Sequence, residues 1–214
     1  TVYTRDEYAR ASQLALSGRG GGALGTFVHL YLNGLYWGLY NPVERPDHHF
    51  LAIHFGGDGE WYDSYKERSG DPNGNRQRLD ATPRALANPK TPYATVKEYV
   101  DTAQFIDYLL VAWATGVSDG PQWYAGNARR PAGPIRWFCW DYEDSFTPAG
   151  QGRGAPGYAW NENNPLWTAL RQHPEFKLEV ADRLQRHCFH DGEFTDAKNV
   201  ERWLSLADFV ENAI

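Results

Sequence analysis

Residues 26–47 read TFVHLYLNGLYWGLYNPVERPD, and the Asn33-Gly34 step inside them decides how this part of the chain folds. Asn and Gly accept positive φ more readily than other residues. Between two β-rich runs they therefore favour a two-residue hairpin turn. The runs are residues 26–32 and 35–41, and a turn at Asn33-Gly34 pairs Leu32 with Leu35 and Leu30 with Trp37. Val28, Leu30, Leu32, Leu35, Trp37 and Leu39 then share one face, and Phe27, His29, Tyr31, Tyr36 and Tyr40 share the other. Both faces are apolar or aromatic, so the expectation is a hairpin covered on both sides.

Upstream, Tyr8, Ala9, Ala11, Leu14 and Ala15 have helical spacing, which predicts a helix over 5–16 ended by the glycines after Ser17. The run 18–25 is rich in glycine but has no Lys-Ser/Thr partner and no strand before it. It reads as a linker rather than a phosphate loop. Downstream, 46–55 reads as a short helix and 60–66 as a strand. Residues 67–92 are polar and rich in Gly, Pro, Asn and Arg, the composition of a long insertion loop. Residues 101–115 read as a helix with Asp101 at its cap and Gln104 three later, as in a capping box. A second hairpin is predicted from 122–129 and 135–142, turning through Pro131-Ala132-Gly133-Pro134. Residues 147–158 read as loop. Asn164-Pro165 opens a helix, and 174–188 and 195–214 are two more. Two hairpins followed by a helical C-terminal part give an α+β class. One domain spans 1–214, its first hairpin within 1–100 and its second within 101–214.

The 214 residues are enough for one well-buried core. Aromatics make up 15%, including nine Trp and thirteen Tyr. They serve either a core of large rings or a cleft that stacks on a base or sugar. The net charge of −6 and the lack of a long basic run argue against bulk nucleic-acid binding. No apolar run is long enough to span a membrane. Cys139 and Cys188 form no metal motif, and the sequence leaves a disulfide or two thiols equally open. A chain starting Thr1-Val2-Tyr3 without methionine reads as a domain cut from a longer protein.

The chemistry concentrates in 118–146, SDGPQWYAGNARRPAGPIRWFCWDYEDSF. An apolar strand runs straight into Asp141-Tyr142-Glu143-Asp144. Carboxylates crowded at a strand mouth repel one another, and a hard divalent cation with oxygen ligands relieves that. The alternative is that they simply face water. If Arg130 pairs with Ile135, Tyr124 lies opposite Asp141 and brings Asp119 near the acids. One carboxylate on a loop and another at a strand end is the layout of a protein-kinase site. His48, His49 and His54 fit no zinc spacing.

The segments LYLNGLYWGLYNPVERPD (30–47) and RWFCWDYEDSF (136–146) resemble the two signature stretches of the CotH kinase family. The first is similar to its NGxYxGxYxxxE hairpin through Asn33, Gly34, Tyr36, Gly38, Tyr40 and Glu44. The second is similar to its WDxDxxF strand end through Trp140, Asp141, Glu143 and Phe146. Asp101 to Tyr108 and Pro174 to Lys177 also resemble family segments. The resemblance implies an atypical protein-kinase-like fold, ATP with Mg²⁺ or Mn²⁺, and phosphoryl transfer to serine of a protein substrate. It implies Asp141 and Glu143 as metal ligands and Asp119 as the catalytic-loop residue orienting the acceptor hydroxyl. Lys66 resembles the family's LYK lysine that meets phosphates. Glu44 is its implied ion-pair partner or a second nucleotide contact. Gln122 stands at an expected Asn, and Asn127 is a substitute polar ligand. By the same analogy the protein belongs at a bacterial cell or spore surface.

The chain departs from the family pattern at Asp119-Gly120-Pro121-Gln122, where an Asp-Trp and paired asparagines are usual. Either a shortened loop brings Asp119 into place, or the domain is a pseudokinase that binds without reacting. Glu143 also stands where Asp is usual. A carbohydrate-active domain is the remaining alternative, given the tryptophans and the carboxylates at Asp141, Glu143, Asp144 and Glu44.

Overall fold

The central element is a three-stranded antiparallel sheet, in the order β3 (Tyr62–Lys66), β4 (Trp123–Ala128) and β5 (Arg136–Cys139). The computed structural model describes residues 4–18, 20–66, 74–117, 122–146 and 164–213. Side-chain alternation splits this sheet into two faces. Tyr65, Trp123, Ala125, Trp137 and Cys139 join the main core with helix α5 (Thr102–Thr115). Tyr62, Tyr124 and Phe138 point the other way, onto Phe50 and Leu51 of α2 (His48–Phe55). Gly126 lets α2 approach. A Cβ there would lie 2.4 Å from Leu51 Cδ1 and 2.8 Å from the Asp63 carbonyl oxygen.

β5 is an edge strand, and its open edge is satisfied by two glutamine side chains rather than by another strand. From α5, Gln104 accepts the Trp137 N–H at Oε1 (2.9 Å) and donates from Nε2 to the Trp137 carbonyl. From α1 (Arg5–Ser17), Gln13 accepts the Cys139 N–H (2.7 Å) and donates to the Trp137 carbonyl (2.6 Å). Both glutamines are buried, and an unpaired strand edge is a liability the fold must cover. Asp101 caps α5 as expected, accepting the Gln104 N–H at 3.3 Å. The reciprocal half of the predicted capping box is absent, because the Gln104 side chain is engaged at Trp137.

The first hairpin, β1 (Val28–Leu32) with β2 (Leu35–Tyr40), turns at Asn33 and Gly34, both at positive φ. Leu32 pairs with Leu35 as predicted. A bulge then leaves Trp37 without a partner, so Leu30 lies opposite Gly38, which sits at φ 126°. Among the described residues, the expected cover on both faces is not found. Tyr31, Leu35 and Trp37 are 60%, 69% and 58% exposed. The pair forms a two-stranded sheet of its own.

The second hairpin forms with a register three residues from the expected one. Tyr124 faces Phe138 and Trp123 faces Cys139. The chain reverses at Arg130-Pro131, where Arg129 bridges Ala132 and the Gly133 N–H donates to the Ala128 carbonyl. The turn is therefore tighter than the Pro131–Pro134 stretch suggests. The supposed insertion loop is also corrected in part. Residues 77–85 form α3 (Gln77–Ala85), which packs on α6 (Pro165–Leu170). Thr82 and Leu86 are fully buried there, at a spacing hidden by the polar composition around them. α4 (Tyr93–Tyr99), α7 (Pro174–Cys188) and α8 (Asp196–Glu211) complete eight helices among the described residues. Asn164 caps α6 through the Leu166 and Trp167 amides, as its Asn-Pro start predicts. Both cysteines are free thiols. No helix among the described residues is long and apolar enough to cross a membrane. The class is α+β, as read from the sequence.

The glycine run after α1 is a connection packed closely into the fold. Residues 20–23 are buried, Gly21 and Gly22 against α1, Gly20 and Ala23 on the α2 side. A Cβ on Gly22 would meet the Arg10 carbonyl at 2.9 Å, and one on Gly25 would meet Glu7 Oε2 at 2.1 Å.

Candidate functional site

Where β5 ends, the backbone turns sharply. Asp141 adopts φ 65°, a left-handed conformation that Asp tolerates better than most residues. Tyr142 is fully buried and anchors the turn, leaving Asp141 and Glu143 at its two shoulders. The two side chains line a pocket of about 590 Å³ together with Asp6, Arg10, Asn41, Val43 and Trp140. Glu143 keeps one side open to solvent, yet its carboxyl is pushed up to about 7. Reduced hydration against the protein surface is the largest cause. The hydrogen bond with Asp141 and the negative charges of Asp141 and Asp6 add to it.

A pair of carboxyls close enough to share a proton suits a hard divalent cation. No group of three or more His, Cys, Asp or Glu side chains among the described residues is arranged to hold a metal ion. Mg²⁺ in general is held by one or two carboxylates together with waters and substrate phosphates. Asp141 and Glu143 fit such an ion.

Beside the acids stands a basic and aromatic wall. Trp140 meets Tyr124 edge-on, with ring centroids 4.9 Å apart. The Tyr124 hydroxyl accepts from Arg45 Nε at 3.0 Å, and the Arg45 guanidinium lies 5.6 Å from the Tyr124 ring centroid. Lys66 pairs with Tyr124 across β3 and β4, and its Nζ is 5.9 Å from the same centroid. Two cations thus share one ring, and that ring meets the acid pocket through Trp140, which lines it.

The predicted site residues divide. Asp141 and Glu143 share one pocket, and Lys66 joins the adjoining wall. Gln122 directly precedes Trp123, whose partner is Cys139, so it lies at the same end of the sheet as Asp141. Asp119 lies outside the described residues. Glu44 does not pair with Lys66 as expected. It accepts the Leu24 N–H at 2.9 Å and meets His54 Nε2 at 3.1 Å, tying the base of the first hairpin to α2. Asn127 is also engaged elsewhere. It accepts from the Tyr65 hydroxyl at 2.5 Å and donates to the Ala128 carbonyl. Four residues along β4 from Trp123, it is about 13 Å from the acid end. The sequence reading missed Arg45, Asn41, Asp6 and Arg10. The Asp6/Arg10 spacing of four on a helix was the available signal for the last two.

No curated protein matches the chain. The family model described as CotH kinase protein matches residues 23–213, which include both the hairpin and the acidic turn. The chain belongs to the CotH kinase family.

Proposed function

We propose that this protein transfers the γ-phosphoryl group of ATP to serine hydroxyls of a protein substrate, in an atypical kinase-like fold that uses Mg²⁺ or Mn²⁺. The observation that carries this reading is the shared pocket of Asp141 and Glu143 beside the Arg45–Tyr124–Lys66 wall. Membership of a kinase family supports it. Bound at the carboxylates, the cation supplies neutralisation of phosphate charge. The remaining work belongs to the chain. Asp141 and Glu143 fix the position of the metal, and Lys66 and Arg45 offer donors to phosphate oxygens. Gln122 precedes β4, at the sheet end where Asp141 follows β5, and Asp119 comes three positions before it in the sequence. By the family resemblance, Asp119 is assigned to orient the acceptor hydroxyl and take its proton. Phosphoryl transfer depends chiefly on positioning and charge, so these few groups suffice.

The test is the melting temperature of the chain with ATP, with and without Mg²⁺ or Mn²⁺, beside an Asp141→Ala variant. A rise that needs the metal and vanishes in the variant is expected. A melting temperature unmoved by ATP with either metal would remove the reading.

A further inference from the structure

Helix α1 runs beside the edge of β5 and keeps step with it. Gln13 takes the amide of Cys139 at 2.7 Å, and Asp6 takes the amide of Tyr142 at 2.9 Å. The same helix thus takes amides on both sides of the point where β5 ends, the second of them inside the acidic turn. The amide that Asp6 accepts belongs to Tyr142, the one residue between Asp141 and Glu143.

Asp6 is itself held. Arg10, with a side chain only 1% exposed, donates to Asp6, to Glu7 Oε2 at 2.6 Å and to Asn41 Oδ1 at 2.6 Å. Asn41, which follows β2, in turn donates to Glu7 of α1 and to the carbonyl of Thr26, which precedes β1. Arg5 adds a donation to the Glu143 carbonyl at 3.3 Å. The network thus joins the base of the first hairpin to the acidic turn through a helix that precedes the family-matched residues.

We infer that Asp6 is a positioning residue, fixing the Asp141-Tyr142-Glu143 turn through the Tyr142 amide so that both carboxylates face one cation. The inference rests on the metal reading of those carboxylates. Asp6 acts through the backbone and needs no place among the ligands. Its hydrogen bond holds Asp141 in the left-handed conformation that a free turn would populate poorly.

Asp6→Ala, Asp6→Asn and Asp141→Ala are compared on the full chain by Mn²⁺ binding (free Mn²⁺ counted by electron paramagnetic resonance) and by hydrogen exchange at the Tyr142 amide. Asp6→Ala is expected to weaken Mn²⁺ binding about 10-fold or more. It is also expected to speed Tyr142 exchange about 10-fold, with the α5 amides unchanged. Asp6→Asn, whose Oδ1 still accepts the amide, keeps both within about threefold of wild type. If Asp6→Ala melts early, Asp6→Ser replaces it, being too short to reach the amide. Unchanged Tyr142 exchange in the truncated variant would overturn the inference. So would an Asp6→Asn loss equal to the truncation's, which would make the effect one of charge. Mn²⁺ binding that survives Asp141→Ala defeats the metal reading itself. Binding lost there but intact in Asp6→Ala defeats the positioning role alone.

Discussion

Gln104 makes both halves of a strand pairing with one residue, Trp137, accepting its amide at 2.9 Å and donating to its carbonyl. Gln13 shares that carbonyl and adds the Cys139 amide, so two helices act as the missing neighbour of β5. Position and stability of the acidic turn both depend on this edge, since Asp141 is two residues beyond Cys139.

Gln104→Leu should therefore cost stability out of proportion to its size. The Trp137 amide, fully buried, loses its acceptor, while the carbonyl keeps Gln13. A buried donor left unpaired costs about 1–3 kcal/mol, and urea melts should show a loss in that range. An unchanged midpoint would mean that the strand edge finds another partner.

How far these features were legible depended on the range of the interaction. The Asn33-Gly34 turn was readable because positive φ is a local demand on residue type. The exposure of Trp37 and Tyr31 was not, since alternation looks the same on a covered and an open hairpin. The second register was misjudged because the reversal sits at Arg130-Pro131 and not in the Pro/Gly stretch after it. Gln13 and Cys139 are 126 positions apart, and a glutamine that stands in for a strand leaves no periodic trace. Asp6 reads as an ordinary first-turn acid suited to the helix dipole. The acidic pair was visible in sequence because three carboxylates at the mouth of an apolar strand demand a reason.

Glu143 gives a pH signature. Its carboxyl is raised from 4.5 to about 7 in the folded chain, so between those values the native state holds a proton that the unfolded state has lost. Stability from this group is full below about 4.5 and is lost as pH rises through about 7. Without metal, the melting temperature should fall across that window, and Glu143→Gln should flatten the fall. Saturating Mn²⁺ should oppose it, because the cation replaces the proton between Glu143 and Asp141. A metal-free melting temperature that rises over the same window would contradict the assignment.

The basic wall separates two kinds of contact. Arg45→Ala should raise the KM for ATP about 10-fold, the scale of one charge-assisted hydrogen bond. Tyr124→Phe removes only the hydroxyl that Arg45 Nε contacts, leaving the ring over which Arg45 and Lys66 sit. Its KM should stay close to that of wild type. Equal losses in both variants would show that Arg45 serves Tyr124 and not a phosphate.

The most direct measurement is transfer of label from γ-³²P-ATP to protein serine, with Mg²⁺ or Mn²⁺, comparing wild type with Asp141→Ala. The account predicts metal-dependent incorporation by the wild type and none by the variant at equal fold and concentration. Incorporation that is indifferent to Asp141, or no incorporation despite tight metal-dependent ATP binding, would contradict it.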